Sequence, residues 1–327
     1  MNRLSILALT VLAALSAESC RSRRRETSAS VEIPADVPTR PRRESLGELS
    51  LNVVELGRPE SPLLLVIHGG PGLDHTYLRP WLDPLADAFR VAYVDLRGHG
   101  RSDLPASADG YTIRAAAGDL ATAIDRWGHG RPAHVLAHDF GCTIAMELAA
   151  LHGDRVARMV LVGPYRDAGQ YRDMPRRTEV VLGSTGYQRL VALSLPDGTL
   201  RDPETVGLLF RALRPMWFHG PVGDDVIARL ARDVRYRGAA DSHFLIDGAR
   251  WNALLRAPMV RAPTLVLTGD DDRTFLPRES REIADVLPHG RFVTIPAAGH
   301  LPFVEQRGRF IEAVNAFLRP AGENPPP

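Results

Sequence analysis

From Leu46 onward, short β-rich apolar runs alternate with longer stretches of helical spacing, the pattern of a mainly parallel sheet covered on both faces by helices. Runs at 63–67, 91–94, 134–137, 159–162, 264–267 and 291–295 predict the strands, and 49–56 predicts an antiparallel edge. No internal repeat, phosphate loop or dinucleotide glycine fingerprint accompanies them. Each run except the edge and the last is followed at once by a cluster of Gly, His, Asp or Pro. In open α/β sheets the site lies beyond the carboxyl ends of the strands, so chemistry is expected at these junctions.

The alternation stops between Pro164 and Arg261. This stretch is Arg-rich and helical in spacing, carries Met216-Trp217-Phe218 and Phe244-Leu245-Ile246, and at about 95 residues is far too long for a loop inside a compact domain. It predicts a cap domain over 165–257, inserted into a core made of 46–164 and 258–321.

At the start of the chain, Arg3 precedes an almost unbroken apolar run to Leu15, then small residues and Cys20. The run is shorter than the about 20 residues that span a bilayer, so 1–19 reads as an export signal that is removed. Ala17-Glu18-Ser19-Cys20 resembles a bacterial lipoprotein cleavage box, with Ala17 where leucine is usual. The resemblance implies that Cys20 becomes the acylated first residue; the alternative is ordinary cleavage beside an incidental thiol. The expectation is an exported protein, periplasmic or attached to a membrane through Cys20. Residues 20–45 hold seven Arg and four acids with no apolar period, the pattern of a solvated tether. The proline-ended segment 322–327 reads as a frayed tail.

Composition narrows the function. With 40 basic against 39 acidic residues and 44% hydrophobic residues in 327, there is no overall basic field to drive nucleic-acid binding. A disordered or collagen-like chain is excluded as well. Two cysteines, Cys20 and Cys142, make neither a disulfide framework nor a four-ligand zinc site.

The segment Arg131 to Ala149 runs from a strand through a tight turn into a helix. Small residues at 137, 141 and 142 let strand and helix approach closely around a strained residue 139. That is the layout of a nucleophile elbow, which usually carries serine in G-x-S-x-G. Here residue 139 is aspartate.

With this elbow, residues 46–320 resemble the α/β-hydrolase superfamily. His68-Gly69-Gly70-Pro71-Gly72 is similar to its oxyanion loop, and Asp95-Leu96-Arg97-Gly98-His99-Gly100-Arg101-Ser102 to the turn that follows. Gly269-Asp270-Asp271-Asp272 resembles the acid turn, and Gly299-His300, followed by Pro302 and Glu305, the histidine loop. The order nucleophile, acid, histidine also matches. The resemblance implies an α/β fold with a mostly parallel doubly wound sheet and an inserted helical cap. It implies that Asp139 attacks, that His300 activates water, and that Asp272 orients His300 and stabilises its cation. Backbone N–H groups of Gly70 and Phe140 would form the oxyanion hole. No cofactor or metal is called for.

Aspartate at the elbow changes the reaction class. A carboxylate attacking an ester would give an anhydride, a poor route to hydrolysis. Attack on a saturated carbon gives an alkyl ester, which water then cleaves at the Asp139 carbonyl carbon. Epoxide hydrolases and the haloalkane and haloacid dehalogenases work in this way, on small apolar organic substrates.

Epoxide opening needs an acid for the leaving alkoxide, supplied in those enzymes by cap tyrosines; Tyr171, Tyr187 and Tyr236 are available, with Tyr187 in the place of the first. The second is normally in the last cap helix, where this chain reads Gly248-Ala249-Arg250-Trp251-Asn252, so Tyr236 is its substitute. Halide release needs N–H donors, commonly a tryptophan just after the nucleophile, or an arginine in fluoroacetate-type enzymes. Phe140 stands there, which leaves Trp217 or Trp251 of the cap. Epoxide hydrolysis to a diol is therefore the expectation, with hydrolytic dehalogenation the alternative.

Two further readings stay open. The His68-Gly69-Gly70-Pro71-Gly72 loop also matches proline iminopeptidases and related serine hydrolases, which require serine at position 139. A binding protein with a degenerate elbow is the other, although binding alone needs no activated water. His68, His99 and His138 are expected as turn residues, Asp270 and Asp271 as capping or solvated groups, and Cys142 as a small buried hydrophobe.

Overall fold

The computed structural model describes residues 31–193 and 205–319. The expected leader, Cys20 and the tail 322–327 lie outside them, as does the side chain of Tyr171.

Eight strands form one sheet: β1 (Arg42–Ser45), β2 (Ser50–Leu56), β3 (Leu63–Ile67), β4 (Arg90–Val94), β5 (Ala133–His138), β6 (Val156–Val162), β7 (Thr264–Gly269) and β8 (Gly290–Ile295). Their spatial order is β1-β2-β4-β3-β5-β6-β7-β8. The β1–β2 and β2–β4 pairs are antiparallel, and every pair from β4 through β3 to β8 is parallel. β3, β4 and β7 are buried along their whole length, which is why 63–67, 91–94 and 265–267 are continuous apolar runs rather than alternating ones.

Helices cover both faces. Ala116, Leu120 and Ile124 of α1 (Ile113–Trp127) and Ile144 and Leu148 of α2 (Gly141–Leu151) pack on one. On the other, Trp81 and Leu85 lie with Phe310, Val314 and Phe317 of the C-terminal helix Arg307–Leu318. The inward stripes recur every three to four residues, as burial of one helical face requires. Between β6 and β7 the described residues form helices only: α3 (Ala168–Val191), with a break at Gly183 where φ is 71°, α4 (Val206–Trp217), α5 (Asp224–Ala231), α6 (Gly238–Gly248) and α7 (Ala253–Arg256). After β7 come α8 (Pro277–Val286), α9 (Pro302–Glu305) and α10 (Arg307–Leu318).

The N-terminal part departs from expectation. Residues 31–45, read as tether, lie against the body, and β1 rather than β2 is the sheet edge. The charges that looked solvated have partners. Arg42 pairs with Glu44 and Glu55 and lies over the Trp127 ring, Arg43 pairs with Asp103, and Asp36 pairs with Arg229 and Arg232. Arg79 binds the Val37 carbonyl and Thr39, while Val31 and Ile33 pack on the core. A charged strand with no apolar period is also a normal way to finish a sheet edge without inviting aggregation.

Candidate active site

The elbow is built as its small residues require. Asp139 sits between the end of β5 and the start of α2 with φ of 54°, a left-handed conformation that aspartate tolerates better than most side chains. Two of the residues packed around it, Gly141 and Gly69, leave no room for a side chain. A Cβ at Gly141 would stand 2.3 Å from the His68 carbonyl oxygen, and one at Gly69 would stand 2.6 Å from the Asp139 Cβ. Gly141→Ala should therefore lower stability by about 1–3 kcal/mol and pull the elbow off the oxyanion loop. Thermal melting and a turnover assay on the same sample would show both losses; a stable, fully active variant would contradict this packing.

That close approach puts the loop's backbone against the carboxylate. Gly70 N–H donates to Asp139 Oδ2 at 3.1 Å, and the Phe140 N–H also bonds the carboxylate. Desolvation is the larger influence and pushes the Asp139 carboxyl up to about 6, while His300 and the two N–H groups pull it the other way. Cys142, the second residue of α2, turns its thiol to the Ala137 carbonyl at 3.3 Å and is fully buried.

His300 and Asp272 come from the loops after β8 and β7. His300 Nδ1–H donates to Asp272 Oδ2 at 2.9 Å, and that oxygen also accepts from the Thr268 hydroxyl at 3.2 Å. Asp272 Oδ1 accepts the Thr274 and Phe275 N–H groups at 2.9 and 3.0 Å. Burial lowers the His300 pKa, but the charge and hydrogen bond of Asp272, with Asp139, outweigh it and hold the imidazole above its usual value. Of three successive aspartates, Asp272 is the one that reaches His300. Asp271 pairs with Arg273 and His219, and Asp270 accepts the Ala298 N–H.

The turn histidines have definite tasks. His68 donates from Nδ1 to the Gly69 carbonyl and accepts the Leu96 N–H at Nε2. His138 must donate Nε2–H to the carbonyl oxygen of His300 at 3.1 Å, because that oxygen can only accept. Its Nδ1 then accepts the Tyr77 hydroxyl at 2.7 Å, and the Tyr77 oxygen accepts the Gly69 N–H at 2.8 Å. Burial and the neighbouring His300 keep His138 neutral. Tyr77 thus joins the oxyanion, elbow and histidine loops. Nothing local in sequence marks it, since its partner stands 61 residues away.

Leu73, Tyr77, His138, Asp139, Phe210, Trp217, His300 and Leu301 line a narrow cavity. Trp217, at the end of α4, reaches it. So does Phe210, which the sequence reading passed over; it stands seven residues before Trp217, on the same helical face.

The two expected cap tyrosines are not among the lining residues. Tyr187 sits half-buried on α3 beyond the break at Gly183. The Tyr236 ring lies against Gly72, and its hydroxyl donates to Asp241 at 2.6 Å. Trp251 stacks on Tyr165 and faces a different cleft, with Arg114 and Glu147. Among the described residues no group of His, Cys, Asp or Glu is arranged to hold a metal ion.

The chain matches a family model described as alpha/beta hydrolase fold over residues 62–306. It is 37% identical over 313 residues to epoxide hydrolase A of Mycobacterium tuberculosis, covering 82% of this chain and 94% of that one. The polyketide synthase ThaQ of Burkholderia thailandensis is 29% identical over 263 residues, covering 78% of this chain but only 12% of its own length. Among solved structures, a proline iminopeptidase-related protein from Thermus thermophilus superposes with a TM-score of 0.66 at 27% identity, covering 86% of this chain and 98% of that one. With the parallel sheet, the elbow and the His–Asp pair in the same order, the chain belongs to the α/β-hydrolase family.

Proposed function

We propose that this hydrolase acts through a covalent aspartyl ester and that its substrate is an epoxide. The observation that carries the mechanism is the placement of the Asp139 carboxylate, with Oδ2 on the Gly70 N–H and His300 lining the same cavity. Oδ1 attacks a ring carbon, the carbon–oxygen bond breaks, and the resulting alkoxide takes a proton from solvent water, leaving a hydroxyalkyl ester on Asp139 and a hydroxide in solvent. His300 then removes a proton from water, and the hydroxide adds to the ester carbonyl carbon. Negative charge develops on Oδ2, where the Gly70 N–H already stands, with the Phe140 N–H at the same carboxylate. Collapse expels the diol alkoxide, which takes the proton back from His300, and the Asp139 carboxylic acid left behind gives its proton to solvent, restoring the carboxylate and balancing the proton taken up in ring opening.

The epoxide reading is supported by the similarity to epoxide hydrolase A. Hydrolytic dehalogenation is favoured by a separate observation. Trp217, whose indole N–H is the kind of donor a departing halide needs, lines the cavity, whereas Tyr187 and Tyr236 do not.

One experiment separates these readings. His300→Gln should still be alkylated but should not hydrolyse the ester, so its intact mass is recorded after incubation with a panel of epoxides and alkyl halides. An epoxide adds its whole mass; a halide adds its mass less HX. The expected result is a single epoxide adduct that maps to the Asp139 peptide. A folded protein that takes no adduct across the panel would sink the covalent mechanism and favour a binding protein with a degenerate elbow. We also propose export and attachment through Cys20, supported by the apolar run up to Leu15; the mass of the N-terminal peptide from cells would test this.

A further inference from the structure

We propose that Glu305 is a positioning residue that locks the loop carrying His300 to the Trp217 wall of the cavity, an inference that rests on the reaction proposed above. Glu305 ends the short helix α9, and its carboxylate accepts three backbone N–H groups. Oε2 takes Gly299 at 2.6 Å, while Oε1 takes His219 at 2.9 Å and Gly220 at 3.1 Å. Gly299 immediately precedes His300. His219 and Gly220 follow Trp217 by two and three residues. One side chain therefore ties the base to the segment that carries the indole.

Other contacts close the same seam. His300 N–H donates to the Trp217 carbonyl at 2.8 Å, and Arg273, next to Asp272, donates to the Pro215 carbonyl at 2.7 Å. Both carbonyls belong to the last turn of α4, where helical partners run out. The fit is tight: a Cβ at Gly299 would stand 2.5 Å from the Trp217 carbonyl oxygen. The end of α4 is thus fixed to the two loops that hold Asp272 and His300. Glu305 is a charged acceptor for three backbone N–H groups of the seam, and hydrogen bonds to an ionised acceptor are the strong ones.

Glu305→Gln tests this, because the amide keeps the shape but turns an NH₂ towards N–H donors. Glu305→Ala is made beside it, and thermal melting identifies which variant is folded. The parent should show a downfield proton resonance from His300 Nδ1–H bonded to Asp272, and the folded variant should lose or broaden it. Single-turnover mass measurements should show ester formation and ester hydrolysis both slowed, by up to about 100-fold for a displacement near 1 Å. A side chain serving stability alone would lower the melting temperature and leave the resonance and both rates where they were; that outcome overturns the proposal. If the resonance is lost and His300→Gln takes no adduct, positioning stands and the aspartyl-ester reading falls.

Discussion

Asp139→Asn is expected to reduce turnover by at least about 10⁴-fold, because an amide oxygen lacks the charge that drives attack on a saturated carbon. The same change is expected to stabilise the protein, in a manner that depends on pH. Burial raises the Asp139 carboxyl from 3.8 to about 6, so keeping it ionised in the folded state costs about 3 kcal/mol at the usual 1.36 kcal/mol per pH unit. Below pH 3.8 the group is protonated both folded and unfolded, and the cost is absent. It grows between the two values and is complete above about pH 6. Asparagine carries no such cost, and it tolerates the left-handed φ of 54° at this position. Melting curves at pH 4 and pH 8 should therefore show the variant's advantage opening as pH rises. A pH-independent gap would mean that the carboxylate is not held against its own desolvation. A group kept at such a cost, in a left-handed turn, facing a His–Asp pair, is better explained by use than by packing.

Much of this was legible in the chain, for physical reasons that differ from part to part. Strands β3 to β7 could be placed because two-sided burial leaves continuous apolar runs. The loops at their carboxyl ends could be placed because contacts such as Gly141 on the His68 carbonyl and Gly69 on Asp139 admit no side chain. Asp272 could be told from Asp270 and Asp271 by its place in the turn. What stayed hidden depends on partners far away in sequence. Asp36 and Arg43 looked solvated because their partners, Arg229, Arg232 and Asp103, lie 60 or more residues off. Tyr77 was missed for the same reason. The direction of the cap side chains depends on helix placement: Phe210 and Trp217 share the inward face of α4, while Asp241 takes the Tyr236 hydroxyl. Periodicity assigns a residue to a face, but packing decides what that face meets.

Asp272→Asn should separate the two halves of the reaction. The four groups around this carboxylate, namely the Thr274 and Phe275 N–H, the Thr268 hydroxyl and His300 Nδ1–H, all donate. An asparagine must turn its own NH₂ towards one side of that set. If it faces His300, the imidazole has to accept at Nδ1 and carry its proton on Nε2, the tautomer that cannot take a proton from water. If it faces Thr274 and Phe275, two buried N–H groups lose their acceptor. In either case the charge that raises the His300 pKa and stabilises its cation is gone. Ester hydrolysis should fall by about 10⁴-fold, the scale seen when the acid of such a triad becomes an amide. Ester formation needs neither the base nor its tautomer and should proceed at close to the parental rate. Intact mass after a single turnover would then show Asp139 trapped as ester in Asp272→Asn as in His300→Gln, whereas Glu305→Gln should slow formation and hydrolysis together. If Asp272→Asn hydrolyses its ester within tenfold of the parent, then His300 is not the base that Asp272 orients, and the water must be activated by another group at the cavity.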